Sequence, residues 1–286
     1  MAVSRRTLLS MTMTGAAGLA LTRHARAAAP TAATLAAAFT DHFGAIGYAW
    51  TDPLGMISGQ SFNGGLRYDE TRPEPVAGKS LFVQPAARVE DAEGAGTPGV
   101  LALFTICGLR VSEPAEPGAL FGQLLTWLVE QRNLDPARLV FVSTEAFGPY
   151  RDRHELVRAG RIVQRDRKEA MAAGDGSGYF APPGHPAQPA FETVSLHYPL
   201  PGTEPDDLAY PLQGYLEIGE VSITPLDRRA VGFEVGGFGL ERLVMAEGGV
   251  AADFEASRRA LLRLIESEAT ASGQPLPEGH GLFSRS

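Results

Sequence analysis

Residues Gly236 to Met245, GGFGLERLVM, constrain this chain more than any other stretch. Gly236, Gly237 and Gly239 close an apolar run, and Leu240-Glu241-Arg242-Leu243 begins at once in helical spacing. The segment therefore reads as a strand that turns directly into a helix. Glycine leaves bare backbone that a ligand can approach, and a helix start favours anions. Arg242, one turn in, offers planar, permanently charged donors to a polyphosphate or a flat face to a nucleobase. The same residues also suit tight strand-to-helix packing with Arg242 in a surface ion pair, and composition leaves both readings open.

The flanking pattern supplies the rest of a sheet. Leu35 to Gly44 sets Ala36, Phe39 and Phe43 on one helical face, with Gly44 and Gly47 as the stop. Leu81-Phe82-Val83 is predicted to be a short strand ending at Pro85, and Gly99 to Gly108 a buried strand. Phe121 to Gln131 has the pattern of an amphipathic helix grouping Leu124, Leu125, Trp127 and Leu128, and Leu139 to Val142 that of another strand. The charged stretch Arg151 to Lys168 reads as a surface helix, whereas four Gly and four Pro between Gly174 and Pro189 make a loop. Tyr215 to Ile223 and Arg228 to Phe233 read as strands, and Phe254 to Ser267 as a long amphipathic helix. Strands outnumber helices and pair in hairpin fashion, so the expected architecture is α+β, an antiparallel sheet flanked by helices.

With 286 residues, 44% of them hydrophobic, the chain can bury one large core. A net charge of -8 excludes a broad basic footprint and disfavours bulk nucleic-acid binding. The single cysteine, Cys107, excludes an intramolecular disulfide and a CxxC metal or redox site, and it reads as a small core residue. His185 and His197 offer acid–base groups, although a loop histidine is more often a polar surface residue.

The amino terminus has the order of an export signal. Ser4-Arg5-Arg6-Thr7 precedes the apolar run Met11 to Leu21, and Ala25-Arg26-Ala27 supplies a cleavage site. Paired arginines resemble the twin-arginine pathway. The expected organisation is a signal at 1–27, one domain at 28–272 and a flexible tail at 273–286. The chain is then exported, with no membrane contact after signal removal, because no later stretch reaches the roughly 18 apolar residues of a membrane helix. The alternative is a cytoplasmic protein with an amphipathic leader.

In order and spacing, GxGLER followed by an apolar helix resembles motif 3 of class II aminoacyl-tRNA synthetases. Tyr215-Leu216-Glu217-Ile218 looks like the acidic strand of the alanyl-tRNA synthetases. Ala172 to Gly178, continuing through Pro183-Gly184-His185-Pro186 to Glu192, resembles that family's glycine- and proline-rich loop, and Leu134 to Leu139 its approach to that region. Phe39 to Ser58 is similar to the family's opening helix and strand. Phe82 to Asp91, FVQPAARVED, looks like a motif 2, closest to that of the glycyl-tRNA synthetase α subunit. The similarity runs collinearly over most of residues 35 to 250.

The resemblance implies ATP and Mg2+ as cofactors and an amino acid or related carboxylate as substrate. Arg242 would hold the γ-phosphate or stack on adenine, Arg88 would clamp the α-phosphate, and Gly237 and Gly239 would give the nucleotide bare backbone. Glu217 and Glu220 would face magnesium or the substrate ammonium. Adenylation of this kind works by positioning and charge neutralisation. The pattern also breaks. Val235 stands where the family's alanine-recognising aspartate falls, with Glu234, the acidic candidate for substrate, one position away on the opposite side of the strand, and Met171 and Thr105 replace a pocket tryptophan and a strand acid. An alanyl-style alignment of motif 2 would set Gln84 in place of Arg88. About forty residues follow motif 3, so the similarity covers a catalytic core without the tRNA-gripping helical domain, and tRNA is not an expected partner. Many class II cores form homodimers through their first motif. Two functions follow: a ligase that activates a carboxylate for a non-tRNA acceptor, or an exported protein that keeps the fold and binds a ligand without turnover.

Overall fold

Alternating apolar residues give every long strand one face that must be covered, and three helices cover it. The computed structural model describes residues 30–52, 57–58, 61–62, 78–88, 94–112, 118–151, 153–180, 191–203, 208–223, 233–251, 253–273 and 275–276. The leader at 1–27, His185 and most of the tail at 273–286 lie outside these residues.

Helix α1 (Ala32–Ala45) starts at Thr31, whose side chain accepts from Thr34 N at 3.2 Å, and it buries Leu35, Phe39 and Phe43. Strands β1 (Ala49–Trp50), β4 (Lys79–Ala87) and β5 (Leu103–Ser112) follow, with β2 (Ile57–Ser58) and β3 (Ser61–Phe62) as a separate small hairpin. Helix α2 (Ala119–Thr126) runs on into a π-helical turn, Trp127–Gln131, closed by Arg132 N on Trp127 O at 3.1 Å. Next come β6 (Val140–Ser143), the short helices α3 (Gly148–Arg151) and α4 (Glu155–Ala159), β7 (Arg161–Gln164), α5 (Arg167–Ala173) and β8 (Tyr179–Phe180). The chain ends with β9 (Phe191–Pro199), β10 (Tyr215–Ile223), β11 (Phe233–Gly239), α6 (Leu240–Ala246) and α7 (Phe254–Ser272).

The main sheet runs β1-β4-β5-β11-β10-β9-β6-β7, with β8 attached to β9. Its centre from β4 to β6 is antiparallel throughout, and only the outer pairs β1·β4 and β6·β7 are parallel. The molecule is therefore α+β, an antiparallel sheet flanked by helices, as the alternation predicts. On one face Leu81, Cys107, Leu109, Phe238, Ile218, Val221 and Leu196 join residues of α1, α2 and α6 in the core. Trp127 stacks on Phe238 with centroids 5.5 Å apart, and Phe39 meets both rings edge-on. Pairs of this kind add about 0.5–1.5 kcal/mol each beyond the area they bury. Helix α7 closes a smaller cluster with Ala87 and Ala102. Among the described residues no helix is long and apolar enough to cross a membrane.

Three elements differ from the sequence pattern. Strand β4 passes through Pro85, which pairs with Thr105 on one side while β1 reaches only Ser80 and Leu81 on the other. Among the described residues no strand pairs with Pro85 on its second side, the kind of place in a sheet that tolerates a residue without an N–H. The stretch Arg151 to Lys168 is no single helix: it breaks into α4, β7 and the start of α5, and β7 lies parallel to β6. Gly160 is the residue after α4 at this break, and a Cβ there would overlap the Phe141 ring. The strand expected to end at Phe233 runs on to Gly239 as β11, Phe233–Gly239, so the glycines of GGFG lie inside it, while residues 228–232 lie outside the described residues.

Candidate functional site

The face of the sheet away from the core carries the polar side chains. Strand β9 reads Thr193, Ser195 and His197 at every second position, with Val194, Leu196 and Tyr198 between them on the core side. Opposite them, β10 carries two glutamates three residues apart, a spacing that sends side chains to opposite faces of a regular strand. The register breaks between Glu217 and Gly219: Glu217 pairs with His197, Gly219 with Leu196 and Glu220 with Ser195. One extra residue, Ile218, is accommodated as a bulge. Glu217 and Glu220 consequently stand on the same side as His197 and Ser195. The row continues from Glu220 to Gly237, Gly108 and Phe82 on β11, β5 and β4.

Two arginines bear on this pair of carboxylates. Arg242 reaches from the first turn of α6, donating through Nε to Gly99 O (2.9 Å) and through Nη1 to Glu217 O (3.2 Å), with Glu217 Oε2 at 3.7 Å. Arg88 follows the end of β4, held by its own N–H on Ala102 O at 3.0 Å, and its charge acts on Glu220. Burial pushes the Glu220 carboxyl up to about 8; Glu217 and Asp175 add to the rise, and Arg88 works against it. Asp175 arrives from the turn after α5. There Gly176 takes a positive φ of 91° and lies so close to Glu220 that a Cβ would overlap Oε2. The turn is pinned by Thr193, whose hydroxyl donates to Gly176 O at 2.5 Å.

The remaining sequence candidates sort differently. Glu234 lies in register with Val111 on the core side, nearly fully buried, where it accepts from Gly118 N at 2.6 Å and Leu120 N at 3.4 Å. It organises the start of α2 and does not share the cleft with Glu217 and Glu220, because neighbouring residues of a strand face opposite ways. Val235, on the cleft side, is the apolar position there. Gly237 is glycine for the sheet: a Cβ would run into Cys107 O and the Gly108 backbone. Gly239 has more room, with Phe104 at 3.8 Å from such a Cβ. Met171 is 42% exposed on α5. Thr105 faces away from the cleft and ties α6 to β5 through Glu241, which accepts from its N–H at 2.7 Å and its hydroxyl at 2.9 Å. Glu192 is buried in an ion pair with Arg167, Nε to Oε1 at 2.8 Å. Cys107 is fully buried, which raises its thiol pKa.

His197 is no loop residue. It sits inside β9, 6% exposed, and burial lowers its pKa to about 4, so the ring is neutral. Glu217 pulls that value up and Arg242 pulls it down, so the ring adjoins both. Ser195, Ser177, Asp175 and Gly176 are cleft residues given no role from the sequence, and His197, an acid–base candidate there, joins them. The polar alternation Thr193-x-Ser195-x-His197 is the signal that could have found the strand members.

No family model matches this chain, and no curated protein matches it. Among solved structures it bears a weak likeness to a class II synthetase, the aspartyl tRNA synthetase from Entamoeba histolytica, with 12% identity and a TM-score of 0.34. The match covers 76% of this chain and 54% of that one, so the chain spans about half the length of that protein.

Proposed function

We propose that this chain is a class II synthetase-like ligase that activates an amino acid or related carboxylate with Mg-ATP for transfer to an acceptor other than tRNA. The supporting observation is the bulge in β10, which turns Glu217 and Glu220 to one face with an arginine beside each. Paired carboxylates and paired guanidiniums suit a zwitterion, or a hard cation together with anionic oxygens.

The residues present fit the two cofactors. Mg2+ is commonly held by one or two carboxylates plus substrate phosphates rather than by a protein cage. Glu217 and Glu220 supply such a pair, and no larger cluster of metal-ligating side chains occurs among the described residues. Arg88 and Arg242 would hold phosphate oxygens, and the open side of Gly239 would admit a ligand to the backbone. Mg-ATP, when bound, supplies the electrophilic phosphorus and the pyrophosphate leaving group. The chain itself binds and orients: the arginines neutralise charge, and the carboxylate pair takes an ammonium or the metal. Export through the leader at 1–27 belongs to the same proposal, as does the non-tRNA acceptor suggested by the acidic charge of the chain.

A second reading has its own support. Arg242 already holds two backbone carbonyls and Glu217, a structural duty that suits a cleft retaining its ligand without turnover. Amino-acid-dependent exchange of labelled pyrophosphate into ATP separates the two. Exchange with any of the twenty amino acids supports the ligase; amino-acid binding by calorimetry without exchange supports the binding protein; neither exchange nor binding of ATP or an amino acid removes both.

A further inference from the structure

One stretch of chain, residues 99–102, holds both cleft arginines. It closes the connection between β4 and β5, where Thr97 N bonds to Gly94 O at 2.9 Å and Val100 N to Thr97 O at 3.1 Å. Gly99 O accepts from Arg242 Nε at 2.9 Å, and Ala102 O accepts from Arg88 N at 3.0 Å. That second bond carries the β4·β5 ladder one step past Ala87 and Leu103, so alternation turns Arg88 to the side of Phe82 and Ala86, the cleft side. Only Val100 and Leu101 separate the residue that holds one arginine from the residue that places the other.

Each end of the stretch is anchored from a different side. Gly99 takes a positive φ of 82°, which glycine adopts without penalty, and it lies so close to Leu216 of β10 that a Cβ would overlap Cδ2. The same Cβ would stand 3.7 Å from Arg242 Nε, so a side chain at 99 would displace the carbonyl that Arg242 holds. At the other end Ala102, fully buried, donates its N–H to Ser257 Oγ on α7 at 2.9 Å. The Ser257 hydroxyl donates in turn to Phe254 O at 2.7 Å, which fixes it in place. Phe254, Leu261 and Ile265 of α7 pack in one cluster with Ala102 and with Ala87, the residue before Arg88. Helix α7 thus seats the Arg88 end, and β10 seats the Arg242 end.

We infer that residues 99–102, seated on α7 by Ser257, set Arg242 and Arg88 for one ligand, and that Gly99 and Ser257 are positioning residues for a polyphosphate that meets both guanidiniums. The inference rests on the Mg-ATP reading of the cleft for its ligand and deepens it. A long arginine side chain loses rotamer freedom when it is fixed on a ligand. A guanidinium already tied through Nε has its planar fork aimed before the ligand arrives. Loosening either anchor keeps both charges and removes their alignment, so affinity for a ligand that needs both falls while the fold persists.

The test separates the frame from its ligand. Arginine side-chain 1H–15N NMR reads the frame: the Arg242 Nε–H, identified by its loss in Arg242→Lys, is expected to exchange slowly with solvent in the wild type and about tenfold faster in Gly99→Ala and Ser257→Ala. Gly96→Ala is the control for backbone strain alone, because Gly96 takes a φ of 94° in the same turn with open space around its Cβ position, and it should leave the signal unchanged. Rapid exchange in the wild type, or slow exchange kept in Gly99→Ala, overturns the frame; slow exchange kept in Ser257→Ala removes Ser257 from it. Calorimetry with Mg-ATP reads the ligand. Gly99→Ala and Ser257→Ala are expected to weaken binding about tenfold, Ser257→Thr to restore it, and Gly96→Ala to leave it unchanged. If Ser257→Ala fails to fold, Gly99→Ala decides both readouts. Faster exchange with unchanged Mg-ATP affinity overturns the positioning role. No binding of Mg-ATP by the wild type overturns the nucleotide cleft and the positioning role with it, while the exchange rates still decide the frame.

Discussion

Glu217 and Glu220 share one face of β10 because Ile218 is an extra residue in the register against β9. With Ile218 kept in a regular strand, one of the two carboxylates would enter the core, and the part that Glu217 adds to the burial-driven rise of Glu220 would disappear. Deleting Ile218 would leave the two glutamates two residues apart, on one face of a regular strand. Ligand binding and the raised titration of Glu220 should therefore both survive the deletion, readable in the same protein by calorimetry and carboxyl-region NMR. Loss of both in a folded variant would show that the bulge does more than set the face.

The pH dependence of stability has a definite sign. Glu220 ordinarily titrates at 4.5 and in the folded chain at about 8, so between these values the folded state holds a proton that the unfolded state has shed. The stability this group contributes is complete below 4.5 and is lost as pH rises through 8. Relative to Glu220→Gln, the wild type should lose about 1 to 3 kcal/mol between acidic and alkaline pH. Parallel denaturation midpoints for the two proteins across that range would refute it.

Arg88 opposes the rise at Glu220. Removing the guanidinium in Arg88→Ala should push the Glu220 titration above 8, and in the ligase reading it should also abolish pyrophosphate exchange. A downward or absent shift would show that the two charges do not face one cleft.

Glu234 is structural. Glu234→Ala leaves the Gly118 and Leu120 amides unsatisfied in a buried place. A loss of about 1 to 3 kcal/mol in chemical denaturation is expected, with ligand affinity of the remaining folded protein unchanged. A selective loss of affinity at full stability would return Glu234 to the binding site.

The two glycines separate packing from access. Gly237→Ala forces a Cβ against Cys107 O and should destabilise by about 1 to 3 kcal/mol. Gly239→Ala meets only Phe104 at 3.8 Å and should leave stability within about 0.5 kcal/mol. Thermal unfolding distinguishes them, and reversal of the order would mean that the strand-to-helix turn packs differently.

What the sequence determined by itself was local. The face formed by Leu35, Phe39 and Phe43, the strand Tyr215–Ile223 and the passage from Gly239 into α6 follow from periodicity and glycine placement, which act between residues a few positions apart. The α+β class followed from the same short-range pattern. The tertiary structure decided the site. Glu217 and Glu220 could be named from the sequence, yet only pairing with β9 inserts the bulge that turns them together. Alternation alone sets Glu234 on the opposite side from Val235, yet only the pairing of β11 with β5 brings the amides of Gly118 and Leu120 to meet it. Asp175 and Ser177 lie far along the chain from Glu217 and reach this face only through contacts across strands and turns. Pairing register and burial are properties of the whole sheet, and no window of neighbouring residues contains them.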